Sequence, residues 1–215
     1  MEKMARKLAT NIARTLDYDA EREAVIAYGL VGITQIIITF TLVLFFGFLV
    51  GAPVEALIVC TAVGLLRKYS GGAHAGSAEL CNAISVVYST SAAFIARKYL
   101  SAMDNSFLIL SLTVLLFCIS YLVVYRYAPV DSPNKPIKTV KKRKRMRKGS
   151  FIILTVYFLL SAALLFWGCD NEVFASYGIS LLFGVFWQIF TLTSPGASLL
   201  HSLDLVFQKK EVNNL

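Results

Sequence analysis

Apolar residues in this chain come in long uncharged blocks, not at the spacing of a half-buried helix or strand. The clearest block, "LVGITQIIITFTLVLFFGFLV" (Leu30 to Val50), has 21 residues, one amide and no charge. At about 1.5 Å per residue, that is enough helix to cross roughly 30 Å of hydrocarbon. Gly51 and Pro53 end it. The next apolar run, Val54 to Leu66, has only 13 residues, about 20 Å of helix. Even with Arg67, Lys68 and Tyr69 snorkelling it barely crosses. A short run that ends in glycines predicts a helix broken at, or just inside, the interface. Irregular backbone is tolerated at that depth only where protein or water covers it. Further spans are predicted at 80–95, 107–125, 151–168 and 173–190.

The ends of the chain differ. Met4, Leu8, Ile12 and Leu16 recur every four residues, with Lys3, Arg6, Lys7 and Arg14 largely on other faces. Residues 1–22 therefore read as an amphipathic helix on the membrane surface, a pattern that a soluble cap helix also satisfies. The tail 191–215 is mixed, and "LLHSLDLVF" suits a short surface helix. The expected fold is all-α. It is a polytopic membrane helix bundle of about six transmembrane segments forming a single domain over 1–215, with a broken, re-entrant helix between the second and third.

Composition narrows the class. The chain is 57% hydrophobic with mean hydropathy +0.65, too apolar for a soluble domain of this length. The N-terminus is charged throughout and has no core of signal-peptide type. The net charge of +8 does not point to nucleic acid, because 10 of the 21 basic residues lie between Arg126 and Lys148. That clustering beside one span is the positive-inside pattern. With six spans, the N-terminal helix, the Arg67–Lys68 turn, the 126–149 loop and the 191–215 tail share one face. That face is expected to be cytoplasmic, with both termini on it. The four cysteines Cys60, Cys81, Cys118 and Cys169 do not read as a disulfide framework. No metal site or cofactor is expected, since soft ligands are too few and too dispersed.

One segment has no place in a lipid-facing helix: "GGAHAGSAELCN", Gly71 to Asn82. On a straight helix His74 and Cys81, seven apart, would be separated by about 10 Å along the axis. A Cys–His pair needs roughly 3 to 3.5 Å. Gly71, Gly72 and Gly76 allow the backbone to take positive φ and fold back. Ser77 is then a reasonable N-cap, with Cys81 in or just beyond the first turn. There the helix dipole and a neighbouring imidazole favour a thiolate, while the Glu79 carboxylate opposes it. Taken singly, a membrane cysteine usually packs and an interfacial histidine usually anchors. Together, between glycines and behind Arg67, they form a candidate catalytic pair. Arg67 is a candidate oxyanion or positioning donor, or equally an interfacial anchor. Asp131 and Glu79 are candidates for orienting His74, and spacing does not choose between them.

"RKYSGGAHAGSAELC", with "YAPVDSPNKPI" (Tyr127 to Ile137), resembles the active-site segment and cytoplasmic loop of accessory gene regulator B proteins. The resemblance covers most of the chain. It implies a membrane-embedded cysteine endopeptidase in the cell membrane of a Gram-positive bacterium, with its active site cytoplasmic. Such a protein trims a small amphipathic propeptide and promotes its closure into a cyclic quorum-sensing peptide. The resemblance implies that His74 is the base, that Cys81 is the nucleophile and forms a thioester, and that the protein is a homodimer. It also implies an acidic propeptide tail, for which Lys135, Lys141, Lys142, Arg143, Lys144 and Arg145 are candidate contacts. Topology and anionic lipid explain the same charges. Two other classes remain in view, a small transporter or exporter and a non-catalytic membrane scaffold. The long spans carry Gln35, Gln188 and hydroxyls but, on this reading, no buried acid or base. That counts against ion-coupled transport.

Overall fold

The computed structural model describes residues 2–73, 76–101, 106–131, 137 and 139–212. These form eight α-helices and no strand. In order they are α1 (Glu2–Thr15), α2 (Ala20–Leu49), α3 (Pro53–Ser70), α4 (Ala78–Ile95), α5 (Ser106–Tyr127), α6 (Val140–Trp167), α7 (Glu172–Phe190) and α8 (Ser194–Val212). Five stretches are long and apolar enough to cross a membrane: α2, Ala78–Leu100, Phe107–Tyr127, α6 and α7. The chain divides into two compact units, residues 1–42 and 43–215.

In the first unit, the helix predicted over 1–22 is split. Asp17 adopts φ +52°, a left-handed conformation that an Asp tolerates better than most residues, and α1 stops there. Asp19 then accepts the Arg22 N–H at 2.8 Å and caps α2. Thr10 donates to Glu23 at 2.6 Å, joining the two helices. Ala9 and Ala13 are buried, whereas Met4, Leu8 and Leu16 stay exposed. Most of the apolar stripe predicted over 1–22 is therefore exposed.

In the second unit, α3 and α7 pack most extensively on each other, and α4, α5 and α6 surround them. The main core joins Leu66, Phe117, Val124, Leu154, Tyr157, Leu181, Val185 and Ile189. Gly184 sets the closest approach: a Cβ there would lie 2.6 Å from the Ala62 Cβ. Small residues are what allow helices to pack this tightly without a hydrophobic driving force. From α6, Tyr157 donates to the Ala62 carbonyl of α3 at 3.2 Å.

Helix α3 corrects one sequence-based expectation. The run Val54 to Leu66 was read as apolar, yet it contains Glu55, which is only 2% exposed. Glu55 accepts from Ser176 Oγ at 2.7 Å and from Arg97 Nη1 at 3.2 Å. Arg97 sits in a π-helical turn, Ala96–Leu100, that follows α4. A buried acid is therefore present, but it is paired and hydrogen-bonded, as burial of a charge demands. A coupling acid must be free to exchange its proton or ion, and Glu55 is held by two donors. The basic run expected inside a loop also forms the opening turns of α6, where Thr139 caps the helix at Lys142 N. The tail helix α8 is 19 residues long, longer than the short helix anticipated.

Removing Arg97 would leave Glu55 charged and buried with only a serine. Arg97→Ala is expected to lower stability by about 2 kcal/mol. That is less than the 3–5 kcal/mol of a wholly buried pair, because the Arg97 side chain is 42% exposed. Adding Glu55→Gln should recover part of the loss. Thermal melts in detergent micelles measure both, and unchanged melts in both variants would contradict the pairing.

Candidate active site

The predicted break is a seven-residue connection between α3 and α4, and several backbone groups of its described residues have partners. Gly71 N donates back to Arg67 O at 2.9 Å, closing α3. Gln188, fully buried on α7, donates Nε2 to Gly71 O at 2.7 Å and to Ser70 Oγ at 3.0 Å. The Ser70 carbonyl accepts Val130 N at 2.9 Å, from the segment after α5. Ala73 N donates to Thr191 O at 3.1 Å, at the end of α7. Arg67 Nη2 donates to Ala73 O. Gly76 N donates to Asp204 Oδ1 at 2.7 Å, on α8.

Glycine is required at the first position for two separate reasons. Gly71 has φ +69° and ψ −147°, a region open essentially only to glycine. A Cβ there would also run into the Val130 carbonyl oxygen. The α4 side is conventional. Ser77 is the N-cap, and its hydroxyl accepts Leu80 N at 3.2 Å. Cys81 N then donates to Ser77 O at 3.1 Å. Cys81 is thus the fourth residue of α4, half-buried and free of any disulfide. Further along α4, Tyr88 stacks on Trp187 at 4.3 Å and donates to Phe183 O at 2.8 Å. Those contacts fix the helix against α7.

Arg67 is the cation facing this thiol. Its guanidinium is charged at any working pH and interacts electrostatically with Cys81. One N–H of the fork holds the turn, while Nε is buried and has no partner among the described residues.

The chain's similarity to known proteins bears on this geometry. The family model for accessory gene regulator B matches residues 2–192. The chain belongs to the accessory gene regulator B family. It is 36% identical over 206 residues to a protein described as AgrB-like in Clostridium perfringens (strain 13 / Type A), covering 95% of this chain and 96% of that one. A second such protein, from Clostridium perfringens (strain SM101 / Type A), is 35% identical with the same coverage. The accessory gene regulator protein B of Staphylococcus intermedius is 31% identical over 137 residues, 63% of each chain. No solved structure matches the chain. The family is one of quorum-sensing regulators, and the apolar helices agree with a membrane location for this member.

Of the candidate residues, the structure gathers Arg67, Gly71, Gly72, Gly76, Ser77 and Cys81 around one connection. His74 and Lys135 lie outside the described residues. Glu79 is exposed on the first turn of α4. Asp131 accepts from Arg143 Nη2 at 2.5 Å and from Ile137 N at 3.2 Å, so its carboxylate already has two partners. Arg143 also donates to Pro129 O, and Arg147 donates to Ala128 O at 2.7 Å. Two of the basic residues of α6 thus turn inward to hold the segment before it. Lys141, Lys144 and Arg145 are exposed and Lys142 is half-buried.

Sequence reasoning missed Gln188, Thr191 and Asp204. Gln188 carried a usable signal, since a lone amide in an apolar span must find a partner inside the protein. Thr191 acts through its backbone carbonyl and carried none. The turn predicts a sharp mutational effect. Gly71→Ala should cost about 3 kcal/mol or more, from a forbidden φ together with a backbone clash. A thermal melt within error of wild type would contradict the conformation described.

Proposed function

We propose that this protein is a membrane-embedded cysteine endopeptidase and acyl transferase. It cuts a small autoinducer propeptide at the junction between the future ring and its C-terminal tail. The observation that carries the reading is the placement of Cys81. A half-buried free thiol stands one turn into α4, directly after a connection held by Arg67, whose charge faces it.

The chemistry follows from the residue types. His74 takes the proton of Cys81, and Sγ attacks the carbonyl carbon of the scissile amide. The amide C–N bond breaks, the proton returns from His74 to the departing nitrogen, and the tail leaves as a free amine. The remaining peptide is then a thioester on Cys81. A thiol or hydroxyl within the peptide attacks that carbonyl as His74 takes its proton, the C–S bond to Cys81 breaks, the ring closes, and Cys81 leaves as thiolate. Arg67 stabilises the oxyanion of the tetrahedral species formed in both steps. An amide-to-thioester exchange is uphill in water and hydrolysis would waste the intermediate, so the site must be dry. Burial of Gly72 in the connection, against Gln188 and Thr191, is consistent with this requirement.

In this reading α3 completes six crossings, and both termini and the connection face the cytoplasm. The chain forms one membrane domain and works as a homodimer. The basic opening of α6 gathers an acidic propeptide tail. Replacing Lys141, Lys142, Lys144 and Arg145 by glutamine, and sparing Arg143 for its bond to Asp131, should raise KM about tenfold with little change in kcat. An unchanged KM with normal membrane insertion would leave these residues only an anchoring role.

The decisive test is co-expression with the small propeptide encoded beside the gene, read by mass spectrometry of the tail. Cys81→Ala and His74→Ala should abolish tail loss. Cys81→Ser should slow it by about 10²-fold or more, since an alcohol beside imidazole is the poorer nucleophile. Normal processing by either alanine variant removes the protease reading.

A further inference from the structure

Besides the Gln188 bond to Gly71 O, the connection between α3 and α4 is fastened to the C-terminal part of the chain at two further points. Ala73 N donates to Thr191 O at 3.1 Å, and Gly76 N donates to Asp204 Oδ1 at 2.7 Å. These two points flank positions 74 and 75. The second fastening bridges 128 positions of sequence.

Helix α8 is built to reach that point. Gly196 packs so closely on the Phe190 carbonyl that a Cβ there would collide with it, which folds α8 back onto the end of α7. Gly196 and Leu200 are buried and Asp204 is half-buried, at i, i+4 and i+8 on one face. Leu199, Leu205, Val206 and Phe207 on the other faces are exposed. One stripe of α8 therefore faces the bundle, and a charged residue on that stripe, Asp204, meets the Gly76 N–H. A second observation makes the contact selective. Gly76 leaves the carboxylate just enough room, since a Cβ there would sit 3.3 Å from Asp204 Oδ1. An N–H to carboxylate bond is charge-assisted and among the stronger kinds.

We propose that Asp204 is a positioning residue of the catalytic connection. It holds Gly76, and through it the approach to Ser77 and Cys81, from a helix that lies beyond residues 2–192, the stretch matched by the family model. The proposal rests on the protease reading for its functional consequence, but the tether itself does not. What matters is an acceptor at the position of Oδ1, not the negative charge. Asparagine keeps that acceptor, alanine removes it, and glutamate keeps the charge but displaces the oxygen by about one bond length, roughly 1.5 Å.

The test uses full-length protein in proteoliposomes with two readouts. Hydrogen exchange of the 71–80 segment reports the tether, and the initial rate of propeptide tail release reports catalysis. Asp204→Ala should speed exchange of that segment and cut kcat about tenfold, the scale of one such hydrogen bond, with KM little changed. Asp204→Asn should stay within about threefold of wild type in both readouts. Asp204→Glu should resemble alanine, and it carries the comparison if the alanine variant is not recovered from membranes. The proposal is overturned if alanine exchanges and turns over like wild type, or if asparagine is as impaired as alanine. If wild type shows the protected segment but never releases a tail, the protease reading fails while the tether stands.

Discussion

A chain that leaves the helical path near hydrocarbon must satisfy every backbone group it exposes, because lipid offers no partners. That constraint governs the connection between α3 and α4. Among its described residues, Gly71, Ala73 and Gly76 are met by Gln188 from α7, Thr191 just past α7, Arg67 from α3 and Asp204 from α8, and Val130 from the segment after α5 bonds the Ser70 carbonyl at its edge. Four separate parts of the second unit are thus committed to one short stretch of backbone.

The opposite ends of α3 show two solutions to the same difficulty. At its start, Glu55 is neutralised by Arg97 and held by Ser176, which gives a static polar contact inside the bundle. At its end, Arg67 spends one N–H on Ala73 and keeps Nε without a partner among the described residues. The first arrangement is closed. The second leaves a buried donor beside a thiol, and an unused buried donor is costly unless a substrate group meets it. This difference supports the proposal that the chemistry sits at the Arg67 end.

Much of this was legible in the sequence where composition and spacing speak locally. The uncharged blocks gave the helices, the glycines gave the break, and Ser77 four positions before Cys81 gave the cap. What stayed hidden was long-range. Glu55 was overlooked because one acid in a 13-residue run looks incidental until Arg97 and Ser176 fold onto it. Asp204 stands 128 positions from its partner, and nothing in "LLHSLDLVF" announces an amide at Gly76. The basic run was read as loop because its charges set the topology, yet those same residues continue the helix of the following span. The division of the N-terminal helix turned on Asp17 and Asp19, two residues whose local preferences outweigh the apolar spacing across them.

If Cys81 is the nucleophile, the propeptide must pass through a covalent bond to it, and that bond can be trapped. Acid quenching of early turnover followed by intact-protein mass spectrometry tests this directly. The account predicts an added mass equal to the propeptide without its tail, located on Cys81 and released by hydroxylamine. Tail removal at full rate with no such adduct, or with the adduct on another residue, would contradict it.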